Sequence, residues 1–195
     1  MSEVLAFTTP LADSTAPAES LVLRLERGDT SAVGEVYDQH HSAVRAFAKR
    51  LVGDAAATED LVHDVFVALP KAIARYRGDS SLRTFLIGIA VNHARHHVRA
   101  AARRRSALEK LGHEPEVRAG GPEHDARRRE LARLLTRVLD ELPIDQRVAF
   151  VLCEVEERTS REAAEIVGVP EATVRTRLFH AKKRLRVLLA GEAES

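Results

Sequence analysis

The chain has 195 residues, of which 45% are hydrophobic and 30% charged, enough to form one modest core or two small ones. Aromatic residues make up only 4% and tryptophan is absent, which argues against a large aromatic-lined catalytic cleft. The formal net charge is +1 and the pI is near 8.0, so nucleic-acid binding would depend on local cationic patches rather than on the whole molecule.

The N-terminal segment is rich in Ser, Thr, Ala and Pro and has no apolar periodicity, which predicts a disordered tail. It lacks the basic residues that begin a secretory signal, and the longest apolar runs, such as FLIGIAV, are too short to span a bilayer. The single cysteine, Cys153, lies in the apolar run VAFVLC; we interpret it as a core residue, with a redox sensor as the alternative. These features together predict a cytoplasmic protein.

Apolar residues recur at helical spacing in two stretches, and no stretch shows sustained strand alternation. Between the two stretches, Gly, Pro and mixed charge replace the periodicity, which is typical of a linker. We therefore predict an all-α chain in which two small helical domains are joined by a flexible linker. The predicted division is a tail at 1–19, a first domain at 20–100, a linker at 101–127, a second domain at 128–190 and a tail at 191–195.

The second domain contains a helix-turn-helix pattern. Thr159-Ser-Arg-Glu162 has the spacing of a capping box, in which the Thr and Glu side chains bind backbone amides at a helix start. Gly168 suits the left-handed residue that ends this helix, and Pro170 suits the first turn of the next one. The segment therefore predicts two short helices joined by a tight turn.

The second helix of this motif has one apolar side and one cationic side. On a helical wheel the apolar stripe consists of Val174, Leu178, Ala181 and Leu185. No acidic residue occurs between Val174 and Leu189, so we expect Arg175 to have no acidic partner. Such a helix suits the DNA major groove, where its first residues reach base edges and later cations meet phosphates; the alternative is a solvated cationic face on an ordinary hairpin. The residues that we assign to DNA contact are Thr173, Arg175, Thr176, Arg177, Phe179, His180 and Lys183.

The first domain contains a helix with a broad apolar face, made of Leu61, Val62, Val65, Phe66 and Leu69. Asp60, His63 and Asp64 lie on the other side, which is either a solvated face or a docking surface for a basic partner. Pro70 is predicted to end or kink this helix, because proline lacks the amide hydrogen and its ring meets the carbonyl of Phe66. In the next helix, Gly88 would permit the close approach of another backbone.

Three segments carry a family resemblance: DQHHSAVRAFAKRLVGDAAATEDLVHDVFVAL, RYRGDSSLRTFLIGIAVNHARHHVR and the helix-turn-helix. In this order and with this linker, the chain resembles the extracytoplasmic-function (ECF) sigma factors of bacterial RNA polymerase. The resemblance implies two domains, called regions 2 and 4, and a promoter-specificity subunit that is not an enzyme. The implied partners are core RNA polymerase and promoter DNA, with an anti-sigma factor as a further candidate.

The resemblance also assigns roles to residues. Asp60, His63 and Asp64 match the surface that docks on the clamp helices of the polymerase largest subunit, and the second helix of the motif matches the reader of the minus-thirty-five element. Contact with the minus-ten element is implied for a loop that receives a flipped base and for a nearby helix. These minus-ten residues are Arg77, Gly78, Asp79, Ser80, Ser81, Asn92, Arg95 and Arg99.

Two other functions are compatible with parts of the sequence. A free-standing helix-turn-helix repressor with a helical sensor domain would bind a palindrome as a dimer, although no dimerisation zipper is evident. A metal hydrolase is suggested only by scattered histidines, and His63-Asp64 as a dipeptide is a weak signal. We therefore predict no catalytic residue, no metal and no cofactor. The histidines in question are His40, His41, His63, His93, His96 and His97.

Overall fold

The computed structural model describes residues 18–110, 134 and 137–193, and every regular element within them is helical. The all-α prediction is confirmed. No helix in this part of the chain is long and apolar enough to cross a membrane. The helices are α1 (Ala18–Glu26), α2 (Thr30–Val52), α3 (Ala55–Ala72), α4 (Leu82–Lys110), α5 (Ile144–Phe150), α6 (Ser160–Val167) and α7 (Glu171–Ala193), with a 3₁₀ turn at Ile73–Arg75, a π-helical turn at Val151–Val155 and a further helical segment at 137–140.

Helices α2 and α3 each begin at an aspartate that caps the helix. The Asp29 carboxylate accepts a 2.8 Å hydrogen bond from the amide of Ser31, and Asp54 accepts one of 2.8 Å from the amide of Ala57. Hydrogen bonds from Ser31, and then from Arg24, lower the pKa of Asp29 to about 2. The cap therefore stays charged at neutral pH, where it stabilises the start of α2.

The core of the first domain lies between α2, α3 and α4. The predicted apolar face of α3 is fully buried, which confirms the wheel assignment for this helix. On α4, Leu86, Ile89 and Ala90 are buried, whereas Leu82 and Phe85 are half-buried. Phe47 and Leu51 of α2 complete the interior. This packing leaves one side of α3 uncovered by the other helices.

Only two more α-helical residues follow Pro70, which was predicted to end or kink this helix. Pro70 lies inside α3, which continues to Ala72 before a 3₁₀ turn replaces it. The amide of Ile73 bonds to the carbonyl of Leu69, so helical hydrogen bonding resumes after the proline. Pro70 removes only one amide hydrogen bond near the end of the helix, so it destabilises the helix little there. The α-helix ends at Ala72 and does not reach Ala74.

Helix α4 extends further than the periodicity predicts. It continues to Lys110, whereas the linker was predicted to begin at residue 101. The segment AARRRSALEK has lost the apolar repeat but consists mostly of strong helix formers, which accounts for the extension. The remainder of the predicted linker up to residue 127 and residues 1–17 of the predicted tail at 1–19 lie outside the described residues. The last two residues of that tail, Ala18 and Glu19, belong to α1.

The second domain packs directly on the first. Buried residues of α5 to α7, among them Val148, Leu152 and Ala163, belong to the same apolar cluster as the core of α2, α3 and α4. A separate small cluster joins α7 to the segment before α5. The carbonyl of Ile166 in α6 approaches Gly88 of α4, although a methyl group at Gly88 would still be in ordinary van der Waals contact at 3.4 Å. The expected close approach therefore occurs without requiring a glycine.

Arg147 is the buried charge at this domain contact, with only 4% of the residue exposed. Its guanidinium donates to the Leu51 carbonyl at the end of α2 (2.5 Å), and to the carboxylate and carbonyl of Asp140 (2.6 and 2.8 Å). Burial lowers the pKa of Arg147, and the nearby Asp140 carboxylate opposes that shift. Next to it, Gly53 has φ of +69°, and a Cβ there would lie 2.5 Å from the Asp140 carboxylate.

Replacing Arg147 with methionine is expected to lower the free energy of unfolding by about 2–3 kcal/mol, because charge-assisted hydrogen bonds to buried acceptors are lost. Urea unfolding followed by circular dichroism measures the change. Arg186→Met, at an exposed position of α7, is the matched control. Equal destabilisation by the two variants would contradict a structural role for Arg147.

Cys153 lies in the π-helical turn and is half-buried, so the core assignment is only partly met. Burial raises the pKa of its thiol, and the neighbouring Glu154 adds to the shift.

Candidate nucleic-acid interface

The helix-turn-helix begins with the predicted capping box. The amide of Glu162 donates to the Thr159 hydroxyl (3.2 Å), and the amide of Thr159 donates to the Glu162 carboxylate (2.8 Å). The Glu162 carboxylate accepts hydrogen bonds from the amide and, at 2.8 Å, from the hydroxyl of Thr159, and these two bonds lower the pKa of Glu162. Gly168 ends α6 in the left-handed conformation, with φ of 67° and ψ of 40°, as predicted.

Pro170 lies one residue before α7 rather than in its first turn. Its carbonyl accepts hydrogen bonds from the amides of Thr173 (2.9 Å) and Val174 (3.3 Å), so it occupies the capping position. The proline still fits because no amide is needed from it there.

Helix α7 presents the predicted two sides. Val174, Ala181 and Leu185 are buried and Leu178 is half-buried, so the apolar stripe faces the protein. The opposite side is exposed, and its members are Thr176, Phe179, His180 and Lys183. Phe179 is 63% exposed and meets the His180 ring edge-on at 5.6 Å between centroids. An exposed aromatic side chain beside cations suits contact with a thymine methyl group in the major groove.

Two arginines assigned to this face have acidic partners that the wheel did not reveal. Arg175 pairs with Glu171, one turn earlier in α7, so the expectation that Arg175 has no acidic partner is wrong. Arg177 is not free either, because its guanidinium lies 3.3 Å from the carboxylate of Asp145 at the start of α5. Thr173 is half-buried.

The predicted minus-ten loop is ordered by local hydrogen bonds. Gly78 has φ of 77°, the Tyr76 hydroxyl donates to the Ser80 carbonyl (2.5 Å), and the Ser81 hydroxyl accepts from the amide of Thr84 (3.2 Å). The aromatic rings of Tyr76 and Phe85 lie 5.1 Å apart beneath it. The loop residues Arg77, Gly78, Asp79, Ser80 and Ser81 are all exposed.

A cleft of about 1070 Å³ separates this loop from α6. Asp79, Ser80 and Asn92 lie on the wall formed by the first domain. The opposite wall comes from the second domain and contains Arg158, Arg161, Glu162, Glu165 and Ile166. The pairs Arg158–Glu162 (3.9 Å) and Arg161–Glu165 (3.4 Å) partly neutralise that wall.

The three α4 residues that the sequence assigns to minus-ten contact differ in how exposed their side chains are. Asn92 and Arg99 are exposed, whereas the Arg95 side chain is only 16% exposed. Arg95 donates to the Asp145 carboxylate (2.9 Å), the same group that binds Arg177, and to the Asn92 side chain (3.3 Å). Asp145 therefore joins one arginine from each predicted DNA-contacting group.

The predicted docking face of α3 is exposed at Asp60 and His63 and half-buried at Asp64. Asp60 and His63 are exposed, and Val67, 61% exposed, lies on the same side. Asp64 is partly covered, since its carboxylate lies 2.8 Å from Nε2 of His97 and 3.6 Å from Nδ1 of His93. Both histidines are half-buried. Within the described residues, no group of three or more His, Cys, Asp or Glu side chains is arranged to hold a metal ion.

Sequence reasoning missed Asp145 and Glu156. Glu156, which follows the π-helical turn, binds Arg50 of α2 (2.8 Å) and Arg83 of α4 (3.0 Å), so it also links the two domains. The partners of both acids lie far away in the chain. Neither periodicity nor motif spacing carries a signal for such contacts.

The fold and the exposed face of α7 define a helical protein of the helix-turn-helix class with a second helical domain. Family models agree with both halves: the model of Sigma-70 region 2 matches residues 36–104, and that of Sigma-70, region 4, matches residues 132–185.

Relatives and solved structures agree with these family models. The ECF RNA polymerase sigma-E factor of Escherichia coli K12 is 31% identical over 85% of this chain and 90% of its own length. The RNA polymerase sigma-H factor of Pseudomonas aeruginosa is 29% identical over 86% and 91%. The sigma factor RpoE in complex with the anti-sigma factor NepR from Bartonella quintana has a TM-score of 0.62 and 25% identity, covering 80% of this chain and 96% of that one. CnrH in complex with the cytosolic domain of CnrY has a TM-score of 0.61 and 25% identity, covering 90% and 97%. The chain belongs to the ECF sigma factors of the sigma-70 family.

Proposed function

We propose that this chain binds RNA polymerase core enzyme and directs it to promoters through two separate DNA contacts. The observation that carries the proposal is the exposed face of α7, with Phe179 among polar and cationic side chains, in one chain with a region 2 domain. The chain transforms no substrate itself in this proposal and needs no cofactor. It acts in the cytoplasm, where bacterial transcription takes place.

Each domain has its own part in the proposal. Residues 20–100 bind core polymerase through Asp60, His63 and Asp64, and contact the minus-ten element. Residues 128–190 read the minus-thirty-five element in the major groove. The proposed minus-ten contacts are Arg77, Gly78, Asp79, Ser80, Ser81, Asn92, Arg95 and Arg99. The proposed minus-thirty-five contacts are Thr173, Arg175, Thr176, Arg177, Phe179, His180 and Lys183.

An anti-sigma factor is a further proposed partner. Two structures that resemble this chain over most of its length contain a sigma factor in complex with an anti-sigma factor or with the cytosolic domain of CnrY. A protein of this kind would compete with core polymerase for the chain.

Transcription in vitro tests the proposed function directly. The purified chain is added to core polymerase with a library of promoter fragments, and core polymerase alone is the control. Specific transcripts that appear only when both proteins are present are expected. The repressor alternative predicts no such transcripts and is contradicted by them.

Arg175→Ala is expected to weaken binding of the holoenzyme to the upstream element by about 1–3 kcal/mol and to relax its sequence preference. Arg175 would exchange Glu171 for a base edge, which is feasible because the Arg175 side chain is 70% exposed. Competition binding with single-base variants of the promoter measures the preference.

Lys183→Ala is the matched control for Arg175→Ala, since it removes a cation from the same exposed face further along α7. It should weaken all sequences alike and reduce the salt dependence of binding, as a phosphate contact does. Unchanged selectivity in the Arg175 variant would count against base reading.

A further inference from the structure

Asp145 holds one arginine from each predicted DNA-contacting group. Its Oδ1 accepts from Nε of Arg95 on α4 (2.9 Å), and its Oδ2 lies 3.3 Å from a guanidinium nitrogen of Arg177 on α7. We call these three side chains the Asp145 junction. The carboxylate binds through both oxygens, one to each domain's arginine, which is the geometry that a phosphate group offers to two arginines.

The junction lowers the availability of both cations for DNA. The side chains of Arg95 and Arg177 are only 16% and 26% exposed, and their charges are partly balanced by one carboxylate. A phosphate oxygen that approaches either guanidinium competes with Asp145 for its positive charge and for one of its N–H donors. Charge-assisted bonds of this kind are stronger than those of an exposed surface pair, because solvent is partly excluded.

A second acid supports the same closed arrangement. Glu156, whose side chain is 14% exposed, binds Arg50 and Arg83 of the first domain. With the domains held in this way, α6 forms the wall that faces the predicted minus-ten loop across the cleft. A single strand that entered this cleft would pass the carboxylates of Glu162 and Glu165.

We propose that the Asp145 junction is an autoinhibitory contact, in which an acidic side chain of the second domain occupies arginines of both domains in place of DNA phosphates. The proposal rests on the proposed function, because it takes promoter DNA as the competing ligand. Separation of the domains breaks the contact between Asp145 and Arg95 and releases that cation, whereas Arg177, which lies in the same domain as Asp145, stays beside the carboxylate until DNA displaces it. The closed chain is accordingly the form that binds DNA weakly.

The test compares the isolated wild-type protein with four single-residue variants. Asp145→Asn keeps the size of the side chain but removes its charge. Asp38→Asn makes the same charge change at an exposed position of α2, where the described residues provide no ion pair, and so controls for the general effect of net charge on DNA binding. Asp145→Glu keeps the charge, and Glu156→Gln loosens the domain contact without touching the Asp145 junction.

Two readouts are used: the radius of gyration from small-angle X-ray scattering without DNA, and fluorescence anisotropy with a labelled promoter duplex at about 0.1 M salt. Asp145→Asn is expected to increase the radius of gyration and to bind DNA about fivefold more tightly than the wild type, the order expected for the loss of one or two competing ion pairs. Glu156→Gln should expand the molecule with a smaller gain in affinity. Asp145→Glu and Asp38→Asn should resemble the wild type in radius, and circular dichroism verifies that every variant is folded.

The proposal is overturned if Asp145→Asn binds DNA no better than Asp38→Asn, whether or not the molecule expands. Transcription with core polymerase separates this failure from failure of the proposed function. If the wild type supports transcription while Asp145→Asn leaves DNA affinity unchanged, only the autoinhibitory contact is wrong. If neither protein supports transcription, the proposed function fails, and the radius of gyration still reports whether Asp145 holds the domains together.

Discussion

Reversing two charges on α3, by Asp60→Lys and Asp64→Lys, is expected to abolish binding to core polymerase while leaving the helix content unchanged. Asp60 is exposed and Asp64 is half-buried on the same side of α3, so reversed charges there would repel the proposed basic partner. Binding to fluorescently labelled core polymerase measures the effect, and far-UV circular dichroism measures the helix content.

The single variant Asp60→Lys makes this experiment sharper. Asp60 has no ion pair within the described residues, whereas Asp64 lies against His93 and His97, so replacing Asp64 also disturbs α4. His97→Ala serves as the control for that disturbance. Normal polymerase affinity in the double variant would remove the main argument for docking through this face.

The isolated chain is expected to bind promoter DNA weakly, with affinity that falls steeply with salt, and to gain promoter specificity only together with core polymerase. Each domain offers only a few cations, so each contact alone neutralises few phosphates. Core polymerase that held the domains at one spacing would make the second contact effectively intramolecular. If the Asp145 junction is autoinhibitory as proposed, the pairing of Arg95 and Arg177 with Asp145 lowers the affinity of the isolated chain further.

Gel-shift and footprinting assays with and without core polymerase measure this dependence. A scrambled fragment of equal length and composition controls for binding through phosphates alone. A repressor must bind its operator unaided. Tight binding of a palindrome by the lone protein would therefore contradict the sigma-factor mechanism.

The helix-turn-helix was predictable because its signals are local. A capping box needs two side chains three residues apart, and the turn needs a residue that tolerates positive φ, as Gly168 does. The apolar stripe of α7 follows from helical geometry alone. The same reasoning missed the true end of α4, because it followed the apolar repeat and gave no weight to the helix propensity of the Ala- and Arg-rich segment that follows.

The contacts between the domains could not be predicted in this way. Arg95, Arg147 and Arg177 look alike in the sequence as cations on helices, yet one is buried and two share a carboxylate. Those differences depend on how the helices pack between the two domains. The expectation that Arg175 has no acidic partner failed for a simpler reason: it rested on the acid-free stretch that begins at Val174, and Glu171 lies just before that stretch.

The position of Cys153 has a consequence for the reactivity of the chain. The thiolate is the form that attacks peroxides and alkylating reagents, and burial keeps this sulfur protonated more than an ordinary cysteine at neutral pH. We therefore expect oxidation and alkylation of Cys153 to be slower than those of an exposed cysteine, which disfavours the redox-sensor interpretation. Cysteines introduced at exposed positions would react first, so dyes could be attached to each domain while the native thiol remains in place.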